Sequence, residues 1–158
     1  MAVHTSKMTG KLEGFQAIST NTVVNKFCLD RYTKAKVKNK KAGQVVDICG
    51  VCYSHTMLGT GKVIKTFPKY NHIENICRIA ERNPHCNFAL WTKRTEIVKP
   101  FFNKRTKPSN LILIYSNPKV GTIMNTPPTH FDRTFNNVLK TEFVDQQNCT
   151  GQKCKDCL

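Results

Sequence analysis

The sequence predicts an α/β fold: a small, mostly parallel sheet with helices, or a partial (β/α) barrel, with cysteine-rich loops. Three observations predict it. NLILIYS (110–116) holds five consecutive apolar or aromatic side chains between Ser109-Asn110 and Asn117-Pro118. An unbroken run of that kind points to a strand buried on both faces, as in a parallel sheet. NFALW (87–91) is a second short apolar run bounded by polar residues, and reads as a buried strand. Helical patterns precede each run, and helix–strand alternation is the mark of an α/β sheet.

The elements follow in chain order. FQAIST (15–20) alternates apolar and polar side chains and reads as a short strand. RYTKAKVKNKK (31–41) carries Arg31, Lys34, Lys36, Lys38, Lys40 and Lys41 with no acid. Such a run repels itself and stays solvated, so a flexible basic loop is expected there. DICGVCYSHTML (47–58) is a cysteine box, and GTGK (59–62) a turn. Residues 71–83 form the clearest helix. Ile73, Ile76, Cys77 and Ala80 recur at spacings of three and four, giving one apolar face. Asn71 and Glu74 resemble a capping box, and Asn83-Pro84 ends the helix. Thr95–Asn103 is a second helix, short or kinked because of Pro100. PPTHFDRTF (127–135) reads as a loop and TFNNVL (134–139) as a further strand. Reactive groups in such sheets collect at the carboxyl ends of strands, here Trp91-Thr92-Lys93 and Tyr115-Ser116-Asn117.

The 158 residues suit one domain, 1–158, ending in a second cysteine box at 144–158. No apolar run is long enough for a membrane span, and the first residues lack a secretory pattern, so a cytoplasmic protein is expected. Lys and Arg number 25 against 10 acids, a formal charge of +15. That balance favours anionic partners, nucleic acid among them, and equally suits a merely soluble basic surface. No Ser-His-Asp set, phosphate-binding loop or paired-carboxylate arrangement can be made out.

Thiols in a reducing compartment point to metal rather than to a disulfide framework. Cys49-Gly50-Val51-Cys52 is a C-x-x-C whose thiolates can hold one metal ion or two corners of an iron–sulfur cluster, the glycine letting backbone amides turn toward sulfur. Cys149, Cys154 and Cys157 form a three-thiolate box beside Lys153 and Lys155, whose charge favours thiolate. Cys28 is a candidate third ligand if 31–41 folds back. His55 is a weaker ligand candidate, and His72, His85 and His130 read as surface or loop residues. Cys77 reads as core, and Cys86 as a structural residue. Ordinary reduced thiols and a redox C-x-x-C are the competing readings. The lysine run before the box fits the redox motif poorly.

CGVCYSHTML, NPHCNFALWTKRTEIV, KPSNLILIYSNP, HFDRTFNNV and QQNCTGQKCKDCL together resemble the bacteriophage gene product 88 family, from about Phe15 to the last residue. That family has no firmly assigned reaction, and its layout resembles the radical S-adenosylmethionine (SAM) enzymes. The resemblance implies Cys49 and Cys52 as cluster ligands, Cys28 as the third, and Tyr53 packed beside the cluster. It implies an auxiliary cluster or zinc ion on Cys149, Cys154 and Cys157, Lys93 facing the pocket, and a host-cell cytoplasmic protein. Three features depart from the pattern. Val45 stands where a radical SAM motif has its first cysteine, the segment between Cys52 and Phe88 is short, and the chain stops at Leu158. The resemblance is therefore to a form shortened in the middle and at the C-terminus. Two functions follow: a metal (iron–sulfur) binding protein of radical SAM-like ancestry, or a zinc-stabilised basic nucleic-acid-binding module. In the second, Cys49, Cys52, Cys154 and Cys157 close a four-thiolate zinc site. A bland accessory protein with uncommitted thiols is the third possibility.

Overall fold

A computed structural model describes residues 4–7, 13–14, 16–19, 26–52 and 72–139. Contacts divide the chain into two compact units: Met1–Pro68 with Cys149–Leu158, and Lys69–Asn148.

In the first unit, strands β1 (His4–Lys7) and β2 (Gln16–Ser19) pair antiparallel, with His4 opposite Ser19. The expected strand at 15–20 is thus present as a hairpin arm. Helix α1 (Lys26–Ala42) follows. It contains the whole basic run, so the flexible loop expected at 31–41 is instead 17 residues of helix. Lysine is a good helix former, and Lys40 and Lys41 lie in the last turn, where the helix dipole favours cations. Tertiary anchoring supplies the rest: Ala35 is buried, and Arg31 and Asn39 bind the segment that follows. That segment is a 3-10 turn, Ile48–Val51, capped by Asp47.

The second unit is a three-stranded parallel sheet in the order β3-β4-β5, with helix α2 (His72–Arg82) before it. β3 is Phe88–Thr92, α3 is Thr95–Phe102, β4 is Leu111–Val120 and β5 is Arg133–Asn137. The sheet is open, so the small parallel sheet, rather than a barrel, is what the described residues form. Phe88 registers with Leu111 and Leu90 with Leu113, placing these four on one face. α2 covers that face with Ile73, Cys77 and Ala80, and α3 with Val98 and Phe102. Leu111, Leu113, Cys77 and Ala80 are completely buried. Ile114 is buried on the opposite face, but Trp91, which registers with it, remains 43% exposed. On the core face Phe88 and Leu90 are themselves only half-buried, so the expectation of a buried β3 is met only in part.

β4 runs past the predicted stop at Asn117-Pro118. A register shift between Ser116 and Val120 lets Pro118 sit in the strand without having to donate to the ladder. β5 begins at Arg133, one residue ahead of its expected start. The capping residue expected at Asn71 and the turn at 59–62 lie outside the described residues. None of the helices described is long and apolar enough to cross a membrane.

Polar side chains stitch this sheet to its loops. Asn110 Nδ2 lies 2.8–3.1 Å from the carbonyls of Ala80, Asn83 and Cys86, a second donor for the Ala80 and Asn83 carbonyls, which also accept from the amides of Asn83 and Cys86. Asp132 accepts from the Leu113 amide at 2.7 Å and from Lys107 at 3.1 Å. Asn117 and Asn136, 1% and 2% exposed, share a 3.2 Å amide–amide bond. Asn117 also donates to Thr122 O, and Asn136 accepts from Met124 N, so the 121–126 loop is held by side chains.

Candidate metal centre

The C-x-x-C turn is built on α1. Asn39 faces it from the helix. Its Oδ1 accepts from the amides of Val46 and Asp47, and its Nδ2 donates to the Asp47 carbonyl, all within 2.9 Å. Asp47 then caps the turn. Oδ1 accepts from Cys49 N at 3.0 Å, and Oδ2 accepts from Arg31 Nη2 at 3.1 Å, with the Asp47 side chain only 8% exposed. The amide of Gly50 donates to the Asp47 carbonyl at 3.1 Å. The amides of Cys49 and Gly50 are thus committed to Asp47, which corrects the expectation that the glycine turns them toward sulfur.

Gly50 has a different reason. A Cβ there would stand 2.4 Å from Asn39 Nδ2 and 3.0 Å from the Ala35 carbonyl group. Only glycine lets the turn approach the helix that closely. Cys49 lies inside the turn and Cys52 at its C-terminal cap, both half-buried. Cys52 leaves the helical turn with ψ 113°, so the two cysteines are three residues apart on one short segment.

Cys28 is a half-buried residue of α1. Among the described residues no three His, Cys, Asp or Glu side chains are grouped to hold a metal ion, so Cys28, Cys49 and Cys52 do not assemble a three-thiolate site by themselves. The turn seats against Arg31, Ala35 and Asn39, and Cys28 lies on the same face of α1 nearly two turns before Ala35. Tyr53, His55, Cys149, Cys154 and Cys157 lie outside the described residues.

In the sheet unit, Lys93 follows the carboxyl end of β3, and its Nζ donates to Ser116 Oγ at 3.1 Å. Lys93 is half-buried and Ser116 buried, so an ammonium and a hydroxyl meet where β3 ends beside the middle of β4. Arg94, beside it, is paired with Glu96. Cys77 is core as expected, and burial pushes its thiol pKa up. Cys86 is exposed in the turn after α2, where a structural role was expected. His130 lies in a turn, as expected of a loop residue, and bonds Asn103 Oδ1 at 2.6 Å from a backbone with φ 70°.

A family model described as Gene product 88 matches residues 66–149, more than half of the chain. The chain belongs to the gene product 88 family. No curated protein and no solved structure matches it. The matched stretch of this gene product 88 protein includes the whole parallel-sheet unit and stops short of the Cys49–Cys52 turn. That is narrower than the resemblance from Phe15 onward. Within the match, the motifs that carry the resemblance build the fold. Lys107 and Asn110 of KPSN, Asn117 of YSNP, Asp132 of HFDR and Asn136 of TFNN are the residues that fasten strands to loops. Sequence reading used Asn110 and Asn117 only as boundaries and passed over Arg31, Asn39 and Asp47. An isolated Asn in a lysine run carries no signal at the level of periodicity.

Proposed function

We propose that this gene product 88 protein binds metal through thiolates, with an iron–sulfur cluster on Cys49 and Cys52 and an auxiliary cluster or zinc ion on the terminal box Cys149, Cys154 and Cys157. One observation supports the reading: Asn39 and Arg31 fasten Asp47 to α1, and Asp47 caps the short turn that holds Cys49 and is closed by Cys52. A thiolate pair on a fixed turn fits half of a tetrahedral ion site or two corners of a cluster. Asp47 satisfies the backbone of the turn, and Gly50 keeps it seated on the helix. A bound cluster supplies one-electron chemistry that the side chains cannot. Radical SAM-like ancestry belongs to the same proposal and rests on the order of the motifs; within the sheet unit, Lys93, bonded to Ser116, is the group offered to an anionic substrate group.

Expression without oxygen, followed by iron, sulfide and zinc analysis, tests it. Iron and sulfide that fall in a Cys49→Ser variant, and iron or zinc that falls in Cys154→Ser, support the proposal. Stoichiometric zinc without sulfide replaces the cluster with a closed four-thiolate zinc site. A protein holding neither metal after anaerobic reconstitution ends the metal reading.

A further inference from the structure

Helix α1 has more exposed positive charge than the described residues of its unit neutralise. Asp30, its one acid, pairs with Lys26 at 2.9 Å, and Arg31 pairs with Asp47 at 3.1 Å. Lys34, Lys36, Lys38, Lys40 and Lys41 are all exposed, and none makes an ion pair among the described residues. Lys36 lies 5.4 Å from the Tyr32 ring centroid, a contact that adds no negative charge. Lys34 and Lys38, and Lys36 and Lys40, are like charges at i, i+4, an arrangement that opposes the helix until counter-charge arrives.

Their placement is two-sided. Ala35 marks the buried direction, with Cys28, Arg31, Tyr32 and Asn39 half-buried around it. At about 100° per residue, Lys34, Lys38 and Lys41 fall on one flank and Lys36 and Lys40 on the other, about 150° apart. Between the flanks, opposite the buried face, stand Thr33 and Val37, the latter 52% exposed. The Lys26–Asp30 ion pair lies on the same outward line at the start of the helix, so it is over Thr33–Lys41 that short uncharged side chains run between two cationic flanks, a pattern that matches the major groove of B-form DNA. That groove is about 12 Å wide, admits one helix, and has phosphates along both walls. Small side chains face base edges and thymine methyls on its floor. Double-stranded RNA is a poorer fit because its major groove is deep and narrow. An anionic membrane is also a poorer fit, since interfacial helices bury broad apolar faces with aromatics.

We propose that α1 docks in the major groove of duplex DNA, with Lys34, Lys38 and Lys41 on one phosphate wall and Lys36 and Lys40 on the other. The proposal is independent of which metal, if any, the cysteines hold.

Titration of a fluorescent DNA duplex with the full chain over a salt series tests it. Five phosphate contacts give a log–log salt slope of about −4.5, an affinity loss of about 500-fold between 50 and 200 mM salt. The triple variant Lys34→Gln/Lys38→Gln/Lys41→Gln is expected to flatten the slope by about 2.7. Lys36→Gln/Lys40→Gln should flatten it by about 1.8, and reads the opposite flank if the triple variant fails to fold. Glutamine is nearly as good a helix former as lysine, and circular dichroism checks the helix. A control triple in the sheet unit, Lys99→Gln/Lys104→Gln/Lys119→Gln, removes the same charge from exposed sites. The proposal is overturned if the control flattens the slope as much as the α1 triple. It is equally overturned by tighter binding to single strands or duplex RNA, or by capture on phosphatidylserine vesicles without DNA binding.

Discussion

The Asn39 side chain brackets Asp47 as a neighbouring strand would, accepting from its amide at 2.8 Å and donating to its carbonyl at 2.9 Å. One helix residue thereby satisfies both backbone groups of the residue that caps the cysteine turn. The turn's shape depends on α1 rather than on its own short sequence.

Asn39→Ala removes that bracket and leaves the amides of Val46 and Asp47 without their acceptor. Unpartnered polar groups at this depth cost about 1–3 kcal/mol. Urea unfolding should show a lower midpoint. Modification by a thiol reagent should be faster at Cys49 and Cys52 while Cys77 stays protected. Unchanged reactivity of the pair refutes the bracket's role.

Gly50→Ala tests the close approach separately. The added methyl meets Asn39 Nδ2 at 2.4 Å and the Ala35 backbone at 3.0 Å, so the turn must lift from the helix. Overpacking of this kind costs about 1–3 kcal/mol. Metal content per folded chain should fall in the same variant, a measurement independent of the unfolding curve.

In the sheet unit, Asn136→Ala deprives Asn117 of an amide partner and Met124 N of its acceptor, both inside the protein. A loss of about 2 kcal/mol is expected in chemical denaturation. Hydrogen exchange should speed up at Met124 ahead of the Leu111–Leu113 amides. Uniform acceleration across the sheet contradicts a local fastening role.

Cys77 and Cys86 should differ in chemistry as they do in place. Iodoacetamide at pH 8 is expected to label exposed Cys86 and spare buried Cys77, as peptide mass mapping reports. Burial raises the Cys77 thiol above the 9.0 of the unfolded chain, with Arg105 partly opposing it. The folded state therefore keeps this contribution below pH 9.0 and loses it as pH climbs through the raised folded value. The urea midpoint should drop more between pH 8 and pH 10 in the wild type than in Cys77→Ala.

Periodicity and burial made the sheet unit legible. The apolar face of α2 and the unbroken run of β4 hold their identity because local pattern and core agree. Pro100 shortening α3 was readable for the same reason. The lysine run misled because composition reports repulsion but not the anchors that offset it: Ala35, Arg31 and Asn39 act across 8 to 16 residues of separation. β4 outran its predicted end because a bulge accommodates Pro118, a matter of register with β5.

From its residues alone, this gene product 88 chain set its α/β class, its principal helices and strands, its basic charge and the spacing of its cysteine pair. These are local quantities, carried by side chains within a turn or a strand of one another. Tertiary structure alone decided that the basic run is a helix, that Asp47 and Asn39 shape the cysteine turn, and that Lys93 meets Ser116. Each of these depends on a partner distant in sequence, and hydrogen bonds and close packing form only once folding brings the two together.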